Sequence, residues 1–428
     1  MSADFDRLPF KPADILLPRD CDYDKWAVVA CDQYTSQPEY WERVERRVGR
    51  SPSALRLILP ESSLDGPQME MDITDINATM AAYLREGRFK TLPGAMVYVE
   101  RTLWDGRLRR GLVGMADLTA YDYEPGSDAL IRATEGVVMT RIPPRIAVRK
   151  NAPIELPHAM LLADDPGRTV IEPLAAQTDR MELLYDFDLM EQGGHVKGWL
   201  LNEDQLEQVR QALSGLADPA AFRARYAAEE GAVMLFAVGD GNHSLATAKE
   251  CYERLKRLMP PEKWDGLPAR YALCELVNLH DTSLEFEPIH RVVFHTDPKA
   301  LLDALVRAYP GARRGSRAGD GGLPLRYLCA GREGVITVPA PGRLPVGILQ
   351  EFLDGYLMGH EGRVDYIHGE EVAREFAARP GNIAFLLPPM DKAALFPTVI
   401  HDGILPRKTF SMGEAHDKRF YLEARKIR

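Results

Sequence analysis

One stretch of sequence decides the fold: Val233-Met234-Leu235-Phe236-Ala237-Val238-Gly239-Asp240-Gly241-Asn242-His243-Ser244, followed directly by Leu245-Ala246-Thr247-Ala248-Lys249. An apolar, partly β-branched run of strand length reaches two glycines that flank an acid, and a helical pattern begins without any spacer. The stretch therefore predicts a strand, a tight turn and a helix.

The turn at residues 239–244 is predicted to bind an anion. Gly239 and Gly241 permit backbone angles that other residues avoid, so the turn amides can converge on a ligand. Ser244 is the expected N-cap, and a helix start favours an anion such as phosphate. Asp240 would hold a metal ion or accept a proton, and His243 would donate one. The alternative is a turn without chemistry, because Asp-Gly and Gly-Asn are common turn formers.

Length, composition and net charge indicate what class of protein this is and which partners it is expected to bind. A chain of 428 residues predicts two or three packed units, and 45% hydrophobic with 27% charged residues is typical of a soluble globular protein. A net charge of -10 argues against nucleic acid as the main partner. No signal peptide or membrane-spanning run is recognised, so a cytoplasmic location is expected. Five cysteines without a C-x-x-C pair predict reduced thiols.

Three regions are predicted along the chain. Residues 1–95 form an α/β segment that packs on the core, residues 96–296 form a core domain with the turn, and residues 297–428 form a C-terminal α/β domain. Strands are predicted at residues 26–30 and 55–60. Alternating runs on both sides of Trp104-Asp105-Gly106 predict a hairpin.

Further charged residues are candidates for binding phosphate. Arg145 and Arg149 are four positions apart and would share one face of a helix, where guanidinium groups can clamp a phosphate. Their alternative is an ordinary solvated face. Arg407 and Lys408 would reach a phosphate or lie in a solvated loop. His290 is a candidate contact whose alternative is a hydrogen-bonded structural histidine in a strand.

Two other residues are predicted to be structural. His158, which begins a strand-like run, is one of them. Cys31 follows an apolar run as a nucleophile would, but a small buried thiol is the preferred interpretation, since its neighbour Asp32 would raise its pKa.

The order of these features resembles one family, the proteins grouped as domain of unknown function 1015 (DUF1015), over nearly the whole chain. The turn of that family usually reads Asp-Gly-His-His-Arg. Here Asn242 and Ser244 replace the first histidine and the arginine, and His243 is retained. The resemblance is carried by Arg56-Leu57-Ile58-Leu59-Pro60, the 239–243 turn, Pro288-Ile289-His290-Arg291, Ala384-Phe385-Leu386-Leu387-Pro388-Pro389 and Leu405-Pro406-Arg407-Lys408-Thr409-Phe410.

The Asp-Gly-x-His turn is also similar to one in the ParB and sulfiredoxin-like superfamily, which includes nucleotide hydrolases and a kinase of free serine. This resemblance implies an α/β fold of mixed α+β type, with a ParB/sulfiredoxin-like core elaborated by mixed sheets and a C-terminal α/β unit. It implies that the turn contacts nucleotide phosphates and that Glu135 matches the glutamate that serves as base. Arg145, Arg149 or Lys249 would supply the charge of the missing arginine.

The leading hypothesis is a nucleotide-dependent phosphotransferase that acts on a small hydroxylated metabolite such as an amino acid. Its co-substrate would be ATP or another nucleoside triphosphate, Asp240 would bind Mg²⁺, and Glu135, Asp240 and His243 would be catalytic. Gly239, Gly241, Asn242 and Ser244 would hold phosphate. A homodimer is allowed, and no membrane partner is expected. The alternatives are a non-catalytic regulatory protein that binds a nucleotide or metabolite and, with less support, a metal-dependent hydrolase.

Overall fold

The computed structural model describes residues 5–35, 37–64, 66–137, 139–228, 233–315, 322–340 and 343–428. The prediction that the chain begins without a signal peptide rests partly on residues 1–4, which lie outside these ranges. The described residues form two compact units. The first comprises the described residues within 1–284, 396–404 and 412–428, and the second comprises those within 285–395 and 405–411.

The strands are numbered in chain order: β1 Phe10–Lys11, β2 Ala13–Pro18, β3 Val28–Val29, β4 Phe89–Ala95, β5 Val97–Thr102, β6 Leu108–Asp117, β7 Tyr121–Asp122, β8 Ile131–Ala133, β9 Ile154–Glu155, β10 Met160–Ala163, β11 Glu182–Asp188, β12 His195–Leu200, β13 Phe236–Asp240, β14 Tyr271–Asn278, β15 Phe286–Phe294, β16 Arg313–Gly315, β17 Leu323–Cys329, β18 Arg332–Val338, β19 Arg363–His368, β20 Ile383–Leu386, β21 Phe410–Met412, β22 Phe420–Tyr421 and β23 Ala424–Lys426.

The α-helices follow the same convention: α1 Tyr23–Trp26, α2 Pro38–Val48, α3 Met69–Arg85, α4 Ile142–Arg149, α5 Glu203–Leu216, α6 Pro219–Tyr226, α7 Asn242–Lys256, α8 Pro298–Ala308, α9 Pro345–Leu357, α10 Glu370–Ala377 and α11 Leu395–Asp402. Within the part of the chain that is described, no helix is both long and apolar enough to cross a membrane.

A mixed sheet forms the centre of the first unit. Its strand order is β11-β12-β5-β6-β14-β10-β13-β8-β7, with β1 added beside β6. The pairs β10·β14, β13·β8 and β7·β8 are parallel, whereas β10·β13 and the pairs from β11 to β14 are antiparallel. A second sheet in this unit has the order β4-β2-β23-β9. The mixed α/β class predicted from the sequence is confirmed.

The second unit has its own sheet and core. Its strands follow the order β16-β18-β17-β20-β15-β19 and are antiparallel throughout. Apolar side chains of α8 and α9 pack on this sheet around Leu301, Leu305, Ile348, Leu353 and Phe385, which are all buried. At about 25 cal/mol per Å² of buried apolar surface, such a core stabilises the unit by many kcal/mol before chain entropy is subtracted.

Several predicted elements have the expected type. The Asp-Gly hairpin is β5 and β6, paired from Val97↔Val113 to Thr102↔Leu108. The strand, turn and helix of the opening stretch are β13 and α7. Leu161, Phe236 and Val238 pack against Leu245 and Tyr252, so that strand and helix share one core.

One predicted strand is wrong in type, and a second is shorter than predicted. At residues 55–60 the chain forms a 3₁₀ helix, Ala54–Leu57, because the Ser53 hydroxyl accepts a hydrogen bond from the amide of Leu55 and caps it. At residues 26–30 a short helix, α1, ends at Trp26, and only Val28–Val29 is a strand. The Trp26 indole donates to the Leu422 carbonyl at 3.1 Å, and this long-range contact overrides local strand propensity.

Candidate functional site

The turn between β13 and α7 is shaped by Gly241. This residue caps α7 with φ of 81°, in the left-handed region. A Cβ atom built on Gly241 would lie 2.8 Å from the Cα of Ala159, so the two backbone segments approach each other as only glycine allows. The prediction that Ser244 is the N-cap is wrong. The helix begins at Asn242, which places Ser244 at its third position.

We expect Gly241→Ala to destabilise the first unit and to shift the turn. The positive φ alone costs about 1–2 kcal/mol for a residue with a Cβ, and relief of the clash with Ala159 requires backbone movement. Thermal unfolding measures the loss. Gly215→Ala is the matched control, because Gly215 lies in α5 with nothing within 4 Å of its Cβ position. An equal or higher stability of Gly241→Ala would contradict this account of the turn.

An ion pair lies beside the helix start. The Lys418 ammonium is 3.1 Å from Oδ2 of Asp240, and their side chains are 9% and 21% exposed. The other oxygen, Oδ1, accepts the amide hydrogen of Gly241 at 2.8 Å. Residues 239, 240 and 242–244 are partly exposed, so the turn is not sealed inside the core. A basic side chain therefore lies at the turn, although no local pattern in the sequence predicts that Lys418 would supply it.

Two buried arginines hold the segment that carries Lys418. The Arg101 guanidinium donates to the carbonyls of His416 at 2.8 Å and of Lys418 at 3.3 Å, and Arg109 donates to the carbonyl of Asp417 at 2.8 Å. Three successive carbonyls are thus fixed by side chains from β5 and β6. The position of Lys418 opposite Asp240 is a consequence of this anchoring.

The turn is also joined to the segment that contains Glu135. The Asn242 side chain accepts from the Thr134 amide and donates to the Thr134 hydroxyl, both at 3.3 Å. Thr134 in turn donates to the Val238 carbonyl at 2.7 Å. Glu135 follows Thr134 directly and is partly exposed. The structure therefore brings the segment of Glu135 to the same turn as Asp240.

Ser244 and His158 are in direct contact. The Ser244 Oγ is 2.9 Å from Nε2 of His158, and Nδ1 of the same ring is 2.7 Å from the Tyr421 hydroxyl. Oδ2 of Asp32 lies 4.0 Å from Nε2. His158 and Tyr421 are 8% and 2% exposed. The prediction that His158 is structural did not anticipate that its ring would bond a residue of the turn.

Cys31 is a free thiol that joins the group of Ser244, His158 and Tyr421 through its hydrogen bonds to Tyr421. Its amide donates to the Tyr421 hydroxyl at 3.2 Å, and the same hydroxyl donates to Sγ at 3.1 Å. Burial, with a further contribution from Asp32, raises the pKa of Cys31 to about 12. This matches the expectation of an unreactive thiol with a carboxylate neighbour. All five cysteines are free.

We expect Cys31 to resist alkylation near neutral pH. Since only the thiolate is nucleophilic, a raised pKa leaves little of the reactive form at pH 8, and the labelling rate should increase as pH rises toward 12. Peptide mass spectrometry after iodoacetamide treatment measures this. Urea-unfolded protein is the control, in which Cys31 is labelled readily. Fast labelling of Cys31 in folded protein at pH 8 would contradict the assignment of Cys31 as an unreactive thiol.

The two arginines that were predicted to clamp a phosphate both form ion pairs with glutamates. Arg145 lies in α4 and binds Glu61 at 2.7 Å. Arg149 binds Glu155 at 2.5 Å, and Glu155 also binds Arg425 at 2.8 Å. Arg149 is therefore committed to a buried ion cluster.

Lys249 is also committed to a structural contact. Its ammonium donates to the Tyr121 carbonyl. It lies two turns into α7, which at 1.5 Å per residue is about 10 Å from the helix start.

Three candidates lie in the second unit. His290 is buried, and its Nδ1 accepts from the Leu387 amide at 3.1 Å. Burial lowers the pKa of His290 and so disfavours the charged form of the ring. Arg407 binds Asp354 at 2.9 Å, and Lys408 has a positive φ of 55° with its carbonyl bound by Arg291 at 2.8 Å. These contacts give all three residues roles within the second unit.

No group of three or more His, Cys, Asp or Glu side chains that could hold a metal ion is found among the described residues. Asp240 is the predicted metal ligand, and the ammonium of Lys418 now lies against it. A metal ion at Asp240 would have to share that carboxylate with Lys418, or replace it.

The comparisons with known proteins give one family and several distant structures. The family described as "Protein of unknown function (DUF1015)" matches residues 12–356. No curated protein matches the chain significantly. Free serine kinase in complex with AMP aligns with 12% identity and a TM-score of 0.40, over 73% of this chain and 91% of that one.

Two further structures show similarly low identities and TM-scores. A mutant of free serine kinase in complex with ADP has 12% identity and a TM-score of 0.40, over 73% of this chain and 91% of that chain. SbnI with a C-terminal truncation, from Staphylococcus aureus, has 8% identity and a TM-score of 0.39, over 72% of this chain and 85% of that one.

Proposed function

The chain belongs to the DUF1015 family, whose function is unknown, and from its site we propose that it is a nucleotide-dependent phosphotransferase acting on a small hydroxylated metabolite such as an amino acid. The observation that carries the proposal is the Asp240–Lys418 pair at the start of α7, 3.1 Å apart. Phosphoryl transfer requires positioning and charge neutralisation more than covalent chemistry, and this turn offers both.

The first step is binding of the terminal phosphates. The first amides of an α-helix have no acceptor within the helix, and the helix dipole adds positive potential there. In α7 these amides belong to Asn242, His243 and Ser244. Lys418 adds a full positive charge, and in this proposal it takes the role of the arginine that the family turn usually carries. Binding of phosphate would draw its ammonium from Asp240 toward the phosphate oxygens.

The second step is binding of Mg²⁺ and activation of the hydroxyl group that accepts the phosphoryl group. Mg²⁺ is usually held by one or two carboxylates together with substrate phosphates and waters, so a single carboxylate at Asp240 is a sufficient protein ligand. Glu135, whose segment is tied to the turn through Thr134 and Asn242, would accept the proton of the attacking hydroxyl. His243 would donate a hydrogen bond to a transferring oxygen.

A screen of purified protein tests the proposal. ATP, GTP and CTP, each with Mg²⁺, are incubated with pools of hydroxylated amino acids and other small hydroxylated metabolites, and nucleoside diphosphate is measured. We expect diphosphate formation with one nucleotide and one pool, above the rate without acceptor. No formation with any pool would contradict the proposal.

The alternative of a non-catalytic regulatory protein rests on the same pair. The ammonium of Lys418 neutralises the carboxylate that would bind a metal ion. Ser244 stands where the family turn usually has an arginine, and its hydroxyl contacts His158 and carries no charge for a phosphate. Calorimetric binding of a nucleotide without any turnover in the screen would favour this alternative.

A further inference from the structure

A serine, a histidine, a tyrosine and an aspartate meet at the start of α7 in the arrangement of an activated nucleophile. The diagnostic feature of such a site is a nucleophile within hydrogen-bond reach of a base that a third group orients. Ser244 Oγ is 2.9 Å from His158 Nε2, and Tyr421 lies 2.7 Å from Nδ1 on the other side of the ring. We propose that Ser244 and His158 form the nucleophile and base of a second activity, the hydrolysis of carboxylic esters.

The hydrogen-bond network is compatible with the tautomer that a base requires. The Tyr421 hydroxyl has one proton, which it donates to Sγ of Cys31 at 3.1 Å, and it accepts the amide hydrogen of Cys31. In this arrangement His158 donates at Nδ1 to the Tyr421 oxygen, because the hydroxyl has no second proton to give. Nε2 is left as an acceptor, and it faces the hydroxyl of Ser244.

The remaining groups stabilise the charges that develop. When His158 takes the serine proton it becomes an imidazolium, and Oδ2 of Asp32 lies 4.0 Å from its Nε2. Burial of His158 strengthens this attraction, since little water screens it. In this proposal the amides of the first turn of α7, which have no acceptor within the helix, would stabilise a negative oxygen beside Ser244. The close approach of Gly241 to Ala159 brings His158 and Ser244 together.

The chemistry balances with water as the only co-reactant. Ser244 Oγ attacks the ester carbonyl carbon and its proton passes to His158 Nε2. The ester C–O bond then breaks, and the alcohol leaves with that proton, so that an acyl group remains on Ser244. Water, deprotonated by His158, attacks the acyl carbon, releases the carboxylic acid and returns the proton to Ser244.

A fluorophosphonate probe tests the proposal on the full chain. We expect a covalent adduct at Ser244, located by peptide mass spectrometry, and a burst of product with p-nitrophenyl acetate. Ser244→Ala should abolish the adduct, and His158→Gln should slow its formation on the order of 10²–10⁴-fold. Ser214→Ala is the matched control: Ser214 is an exposed helix residue whose hydroxyl donates to the Arg210 carbonyl of its own helix, and labelling should be unchanged.

Tyr421→Phe is the second variant, in case His158→Gln does not fold. It keeps the ring in the core but removes the group that orients His158. We expect slower labelling with unchanged probe saturation, a combination that general loosening of the fold would not give. An adduct at another residue, equal labelling of Ser244→Ala, or no adduct in the wild-type chain would overturn the proposal. Formation of nucleoside diphosphate is a separate readout, so failure here leaves the phosphotransferase proposal unaffected.

Discussion

Asp240→Asn is expected to remove phosphoryl transfer while the fold remains intact. The variant keeps the shape of the side chain and a single oxygen for the amide of Gly241, which Oδ1 now accepts at 2.8 Å. It loses the negative charge that would hold Mg²⁺ against the phosphates. Losing one electrostatic contact of this kind costs on the order of 10²–10³-fold in rate. Nucleoside diphosphate formation at saturating ATP and Mg²⁺ measures the loss.

The control for this variant is a carboxylate outside the site. Asp303→Asn removes a surface charge 3.9 Å from Arg314, with 46% of the side chain exposed, and activity should be unchanged. Thermal unfolding should show both variants folded. An Asp240→Asn protein that keeps activity within about threefold of the wild-type rate would exclude the proposed metal role.

Arg419→Met is expected to destabilise the protein more than any surface substitution. Arg419 binds Glu275 and Glu423, and all three side chains are at most 5% exposed. Burial lowers the pKa of Arg419, but the two carboxylates more than offset it and raise the pKa. Removing the guanidinium leaves two buried carboxylates without their cation, which costs about 3–5 kcal/mol. Denaturant unfolding measures the difference.

The pH dependence separates this effect from simple loss of packing. Burial raises the pKa of Glu275, but Arg419, together with Arg109 and Arg101, lowers it by more, so the net pKa lies below the usual value. The ionised carboxylate of the wild-type protein therefore stabilises the fold above its unfolded pKa, and this contribution is lost as pH falls. In Arg419→Met the largest of the lowering influences is removed, so the pKa of Glu275 rises. The stability gap between the two proteins should therefore be largest near neutral pH and should narrow in acid. Arg43→Met removes an exposed pair with Glu191 and should cost less than about 1 kcal/mol. If Arg419→Met also lowered the free energy of unfolding by less than about 1 kcal/mol, a stabilising role of the buried ion cluster would be contradicted.

The strand, turn and helix around Gly239 and Gly241 could be predicted because the signals are local. Apolar residues of strand length, turn glycines and a helical pattern follow one another in the chain. The N-cap could not be predicted, because Gly241 approaches Ala159 and caps α7 itself. Which residue caps a helix here depends on a backbone segment that is remote in sequence.

The partners of the turn could not be predicted for the same reason. Lys418 lies beside Asp240 on a segment whose carbonyls, at residues 416–418, accept hydrogen bonds from Arg101 and Arg109. The four-residue spacing of Arg145 and Arg149 predicted that both lie on one helix, and both do lie in α4. The acid that takes Arg149, Glu155, is placed by tertiary packing, which periodicity does not encode.

In the proposed function, the amides at the start of α7 and the ammonium of Lys418 bind phosphate. A crystal structure of the full chain with a non-hydrolysable ATP analogue and Mg²⁺ is the decisive experiment. We expect terminal phosphate oxygens within hydrogen-bond distance of the amides of residues 242–244 and of Lys418 Nζ, with Mg²⁺ beside Asp240. A nucleotide bound elsewhere, with Lys418 still paired to Asp240 and the helix start unoccupied, would contradict it.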